Sequence, residues 1–301
     1  MTKDDIFNLT KKELENERFE KILESKNYLQ NCYKEKEILN LANTLGELKI
    51  EYAKTNSDEV LNKIKQTKLN LIECFKKYNY DISKVLPKYN CKVCNDKGFL
   101  DNGKLCSCLY NKYLNRLLNY SKTNLETSPL LDVFDASCYE KDKETAKMIF
   151  DLQNIKSNNK NTILFSGETG TGKTFIAKSF LKTYILQNNL GLFYDSSNIN
   201  QIFLNAHLNF AERDNILNEI LTCDVLVIDD FGSEAKYNNV TKEYFLNLLN
   251  SRQEKNKITL FTTNLTLNDI KNTYNERFFS RLVDKNCSLK YNFTGNDLRL
   301  H

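Results

Sequence analysis

At 301 residues, 41% hydrophobic and 27% charged, the chain has the composition of a soluble globular protein large enough for two domains, which excludes a disordered or low-complexity chain. Its formal net charge of +4 is too small to argue for a nucleic-acid partner, and the imbalance is slight: 22 Lys+Arg against 17 Asp+Glu in residues 1–120, and 21 against 22 thereafter. No stretch approaches the ~20 apolar residues of a membrane span, and Met1-Thr2-Lys3-Asp4-Asp5 opens no apolar leader, so a cytoplasmic chain without membrane contact is expected.

Residues 5–80 read as helices. Apolar side chains recur at three- and four-residue spacing through Ile6, Leu9, Leu14, Phe19, Ile22 and Leu23, through Leu29, Tyr33, Ile38, Leu41, Leu45 and Leu48, and through Leu61, Ile64, Leu69, Ile72 and Phe75. Ser57 or Asp58 marks a helix start. Residues 88–110 change character, with Cys91-x2-Cys94 followed by Cys106-x-Cys108. Four thiolates satisfy tetrahedral Zn²⁺ with no open position, and Asn102-Gly103 predicts a tight turn that returns the second pair to the first. Free thiols or a redox pair are the alternatives. The only histidines, His207 and His301, are remote, and the other five cysteines are scattered and read as small buried hydrophobes.

A short helix is predicted over 109–118, and residues 119–140, with weak periodicity and Ser128-Pro129, read as a linker. From about 145 onward strands and helices alternate. Strands are expected at Thr162–Ser166, Leu192–Ser196, Val225–Asp229 and Thr259–Thr263, with helices at about 142–156, 173–188, 198–209, 213–221 and 239–254. This order predicts an α/β fold with a parallel sheet covered by helices.

Gly167-Glu168-Thr169-Gly170-Thr171-Gly172-Lys173-Thr174 fits the phosphate-binding pattern G-x-x-x-x-G-K-[ST] in full, between an apolar run and a helical one. Its glycines allow backbone N–H groups to face one concavity, to which the following helix adds its positive end. Lys173 is expected to reach the β/γ-phosphates of a nucleotide and the Thr174 hydroxyl to ligate Mg²⁺, with Phe175 the next residue of the site. A Gly-rich turn that binds nothing is the alternative. Val225-Leu226-Val227-Ile228 is a buried strand ending in Asp229, placed to hold Mg²⁺, and Asp230, placed to orient an attacking water. Asn264, after Leu260-Phe261-Thr262-Thr263, can donate to a γ-phosphate and accept from that water, although taken alone it reads first as a strand-capping Asn. Arg277 and Arg281 lie four apart, on one helical face.

The run Ile228-Asp229-Asp230-Phe231-Gly232-Ser233-Glu234, then Thr262-Thr263-Asn264, then Glu276-Arg277-x-x-Ser280-Arg281-Leu282, resembles the DnaC/DnaI-type replicative helicase loaders. These are AAA+ P-loop ATPases of the IstB-like ATP-binding superfamily. The likeness covers roughly residues 130–300 and extends to the cysteine cluster. Residues 1–80 carry no matching motif and read as a helical bundle, a partner-binding arm or both; the expected organisation is a helical partner-binding region at 1–86, a zinc module at 87–118, a linker at 119–140 and an AAA+ ATPase domain at 141–301. Gly167, Thr169, Gly170, Thr171, Gly172, Lys173 and Thr174 would form Walker A, Asp229 and Asp230 Walker B, Asn264 sensor 1 and Arg281 an arginine finger. Arg299 would be sensor 2, Phe134 would lie against the adenine, and the helix from Asn198 to Leu208 near single-stranded DNA. Walker B departs from the common Asp-Glu, which leaves Asp230 or Glu234 to orient the water and implies slow turnover. The resemblance implies ATP, Mg²⁺ and Zn²⁺ as cofactors. A hexameric DnaB-type helicase, single-stranded DNA and further copies of the chain are the implied partners. A transposition helper acting on double-stranded DNA with a transposase, and an ATP-binding adaptor with little hydrolysis, are the competing readings.

Overall fold

The computed structural model describes residues 1–137, 142–295 and 297–298. Its contacts separate two compact units, Leu9–Asn111 on one hand and Met1–Asn8 with Lys112–His301 on the other.

The first unit is built from most of helix α1 (Lys3–Cys32), the helices α2 (Lys36–Thr55) and α3 (Asp58–Lys77), the cysteine segment and the start of α4 (Ser107–Tyr120). Ser57 is the N-cap of α3. Packing of α2 on α3 buries Ile38, Cys74 and Phe75 together with Cys32. Burial, rather than pairing, is the fate of Cys32, Cys74 and Cys223, whereas Cys287 is half-exposed and Cys138 lies outside the described residues.

The second unit contains α5 (Asp142–Gln153), β1 (Thr162–Gly167), α6 (Lys173–Leu186), β2 (Gly191–Asp195), α7 (Ser196–Leu208), α8 (Arg213–Thr222), β3 (Val225–Asp229), α9 (Thr241–Glu254), β4 (Ile258–Thr263), α10 (Leu267–Tyr274), α11 (Glu276–Leu282) and β5 (Ser288–Phe293). The strands form one parallel sheet in the order β2-β3-β4-β1-β5. This is the expected α/β arrangement, a parallel sheet covered by helices. All six residues of β4 and the first four of β3 are buried, so both faces of the sheet centre are covered. On one side α6 packs on β2, β3 and β4; α7, α9 and α11 also pack on the sheet and on neighbouring helices. Phe231, Phe245, Phe261, Tyr274 and Phe278 form a continuous aromatic cluster between β4 and α9–α11.

Two features depart from the sequence reading. Strand β5 was not expected, because its burial alternates and exposed Lys290 and Asn292 interrupt any apolar run. Residues 119–137 are not an open linker: Ser121 O accepts the Phe193 N–H (2.8 Å), the Leu131 N–H reaches Thr183 Oγ1 (2.9 Å), and Lys182 Nζ donates to Ser128 O (2.7 Å).

Arg252 is fully buried, and among the described residues none of its hydrogen-bond partners is a carboxylate. Nη1 donates to Ile220 O (2.8 Å) and Cys223 O (3.0 Å), Nη2 to Ile258 O (2.6 Å) and Nε to Thr259 Oγ1 (2.8 Å). It thereby ties the end of α8 to the start of β4. Arg252→Met fills similar volume but strands these acceptors, and is expected to lower unfolding stability by at least about 3 kcal/mol in a urea titration.

Candidate nucleotide site and cysteine cluster

Parallel register brings distant sequence segments together at the carboxyl end of the sheet. Ser166 pairs with Thr263, and Ile228 with Phe261, so Gly167, Asp229 and Asn264 emerge side by side. The loop after β1 needs its glycines. Gly167 has φ +140 and a Cβ there would fall 2.1 Å from Phe293 O of β5. Gly170 has φ +82 and a Cβ there would strike the Asp297 carboxylate, while the Leu298 N–H donates to Gly170 O (3.0 Å). Residues of the chain's C-terminal segment therefore rest on this loop. Arg299 lies outside the described residues.

Lys173, the first residue of α6, is buried. Its ammonium donates to Gly167 O (2.8 Å), Glu168 O (2.6 Å) and Asn264 Oδ1 (3.0 Å). Burial holds its pKa below the ordinary lysine value, against the attraction of Asp229 and Asp230. Asn264 turns its amide nitrogen to Asp230 Oδ1 at 3.0 Å, so it bridges Lys173 and Asp230. The Thr174 hydroxyl lies 2.9 Å from Asp229 Oδ1 and 3.1 Å from Oδ2. Thr262, which sequence reasoning passed over, donates to Asp229 Oδ1 (2.6 Å) and accepts the Asp230 N–H (3.0 Å). A hydroxyl at the last-but-one position of a buried strand was the available signal. Thr169 is exposed on the loop, and the Thr171 hydroxyl closes it by donating to Glu168 O (2.7 Å). Phe175 is 44% exposed, with its ring centroid 5.9 Å from that of Phe134, which makes an aromatic wall beside the first turn of α6.

The structure thus assembles Lys173, Thr174, Asp229, Asp230 and Asn264 and leaves two predicted residues out. Glu234 is turned away: its side chain is wholly buried, taking bonds from Ser196 of α7, Lys236, Tyr274 of α10 and the Gly232 N–H (2.9 Å). Burial raises its pKa, but the donors from Lys236, Ser196 and Tyr274 outweigh that and hold it below the usual carboxylate range. With its oxygens so occupied, the Glu234 carboxylate stands apart from the cluster around Lys173. Arg281 is exposed on α11, its Nε bonded to Asn250. Its carbonyl accepts from Gln253 Nε2 (3.2 Å), which also donates to Thr162 Oγ1 (2.9 Å), at the start of β1. Five residue steps of β1 separate Thr162 from Gly167, about 16 Å. The Arg281 backbone therefore lies at the amino end of β1, the end opposite the glycine loop of its own chain.

The four clustered cysteines meet. Their sulfurs lie within 4.8 Å of one another, Cys91 to Cys106 at 3.7 Å and Cys94 to Cys108 at 3.4 Å. Tetrahedral Zn–S bonds of about 2.3 Å place sulfurs about 3.8 Å apart, so the set fits a zinc ion. The predicted turn is present: Gly103 has φ +78, and Phe99 and Leu105 pair antiparallel across it. Backbone N–H groups of Cys94 and Val93 draw the Cys91 thiol down to about 7, although burial opposes them. Asp96, unremarked in the sequence, braces the knuckle. Its buried carboxylate accepts the N–H groups of Cys91 (2.7 Å) and Asn90 (3.0 Å) and pairs with Lys21 (2.8 Å).

Three comparisons bear on these sites. A curated relative, the phage-like element PBSX protein XkdC of Bacillus subtilis (strain 168), is 24% identical over 209 residues, 60% of this chain and 73% of that protein. Among solved structures, a DnaC helicase loader superposes with a TM-score of 0.47 at 22% identity, covering 56% of this chain and 98% of the other. DnaI does so with a TM-score of 0.44 at 19% identity, covering 58% and 92%. The family model of IstB-like ATP binding proteins matches residues 111–286, which hold the glycine loop, both aspartates, Asn264 and Arg281. That match spans more than half of the chain, and the chain accordingly belongs to the IstB-like ATP binding protein family.

Proposed function

We propose that the protein is a slow ATPase that loads a hexameric, DnaB-type replicative helicase onto single-stranded DNA, with ATP held between copies of the chain as the switch. The observation that carries the ATPase part is the convergence of Lys173, Thr174, Asp229, Asp230 and Asn264 at the ends of three adjacent strands. Thr174 and Asp229 supply hard oxygen donors suited to Mg²⁺, which would neutralise phosphate charge when bound. Lys173 would exchange its carbonyl partners for phosphate oxygens. Asp230, fixed by Asn264, would orient the attacking water. Phe134 and Phe175 would flank the base. Cys91, Cys94, Cys106 and Cys108 would hold a structural zinc, because four thiolates leave it no open position.

Loader function is supported by the resemblance in motif order and by an exposed tip after α7, where Leu208 is 70% exposed and Phe210, 80% exposed, is available for stacking on unpaired bases. The family match favours the transposition-helper reading as the second one. Capture with purified helicase against purified transposase separates the two. Lys173→Ala is expected to reduce ATP turnover by about a hundredfold. The thermal melt of the variant shows whether the chain still folds without the bonds of the ammonium to Gly167 O, Glu168 O and Asn264 Oδ1. Turnover at the wild-type level in that variant would remove the glycine loop from the reaction.

A further inference from the structure

Glu234 takes no part in the cluster around Lys173, yet its buried carboxylate binds four donors from three different segments. Two of those donors, the Gly232 N–H and Lys236, belong to the loop that follows Asp230, and the other two, Ser196 and Tyr274, belong to α7 and α10. Asp230 has φ +52, a left-handed conformation uncommon for a non-glycine residue. Gly232 follows at φ +106, and a Cβ there would lie 2.4 Å from Leu265 Cδ1. Such a turn persists only where its surroundings over-determine it.

The anchors are visible on both sides. Toward β4, the Asp230 N–H meets Thr262 Oγ1 (3.0 Å) and the Phe231 N–H meets Thr262 O (2.7 Å). Within the turn, the Ser233 hydroxyl donates to Asp230 O (2.8 Å). On the far side, the Gly232 N–H meets Glu234 Oε2 (2.9 Å), and that carboxylate is in turn held by Ser196 at the start of α7 and Tyr274 at the end of α10. The Phe231 ring lies between the two sets, stacked on Tyr274 at 4.3 Å and 22°. We infer that Glu234 is a positioning residue for Asp230: it fastens the turn to α7 and α10 so that the Asp230 carboxylate stays on Asn264. The inference rests on the proposal that Asp230 orients the attacking water.

The test is steady-state and single-turnover ATP hydrolysis by the full-length chain, with Glu234→Gln, Ser196→Ala and Tyr274→Phe beside wild type. Melts and the affinity for a non-hydrolysable ATP analogue are measured on each. Glu234→Gln is expected to lower kcat between about ten- and a hundredfold, the scale of a misplaced catalytic group, with KM and analogue affinity within about twofold. Tyr274→Phe and Ser196→Ala, which each remove one donor, should show the same split to a smaller degree. A folded Glu234→Gln with wild-type kcat overturns the inference, as does a fall in kcat matched by the loss of analogue binding. If Glu234→Gln fails to fold, the two milder variants decide by the same split. If wild type itself shows no turnover, the ATPase proposal fails separately. Amide exchange then decides the positioning role: faster exchange at Phe231 and Gly232 in the variants supports it, and unchanged exchange sinks it.

Discussion

Arg281→Ala is expected to lower maximal ATP turnover by about a thousandfold, the scale set by arginine fingers supplied in trans, while ATP affinity changes by no more than about twofold. The reasoning is positional. Arg281 is held on α11 by Asn250, and its carbonyl is tied through Gln253 to the first residue of β1, the end of the strand opposite the glycine loop. Its side chain does not span the intervening length of β1 to Lys173 of the same chain. It is exposed and cationic, so a neighbouring copy's phosphates are within its compass once copies associate head to tail. The decisive measurement mixes two inactive variants. In an assembly of Lys173→Ala and Arg281→Ala chains, a site that uses Lys173 from one and Arg281 from the other is complete, so mixing restores part of the turnover. No restoration under conditions where the copies associate, or a single variant Arg281→Ala that turns over like wild type, would refute the shared site.

Removing the metal from the cysteine cluster is expected to unfold that module and leave the nucleotide unit intact. Structural zinc sites of this ligand set contribute on the order of 10 kcal/mol of binding free energy, which is folding free energy where no other core exists. Apart from Leu109, which packs with Leu14 over Gly98, the segment around the cysteines buries little beyond Cys94, Cys106 and Asp96, and Leu86 and Val93 are 74% and 75% exposed. Wild type should carry one zinc per chain, and Cys91→Ser or a strong chelator should remove it, with faster amide exchange confined to the cysteine segment and unchanged ATP binding. Because only thiolates bind zinc, affinity should also fall as pH is lowered. Full zinc content in Cys91→Ser would show that the cluster is not the ligand set.

Much of this was legible from local sequence because the physics there is local. The glycine loop is defined by backbone needs at Gly167 and Gly170, the strands β1, β3 and β4 by apolar runs buried on both faces, and the cysteine knuckle by ligand count and the Asn102-Gly103 turn. Strand β5 escaped because an edge strand alternates with exposed polar residues. The packed stretch 119–137 escaped because its anchors are backbone groups, which carry no side-chain signature.

The sequence alone determined which residue types would serve the chemistry: a lysine and a threonine after the loop, acids after β3, an amide after β4, four thiols in two pairs. Only the tertiary structure decided which of them meet. Parallel register, set by long-range pairing, puts Asn264 between Lys173 and Asp230 and recruits Thr262. Burial against α7 and α10 sets the Glu234 carboxylate apart from the cluster around Lys173, beside the turn that follows Asp230. The same pairing leaves Arg281 beside the start of β1, away from its own loop, because side-chain reach is short against the length of a strand.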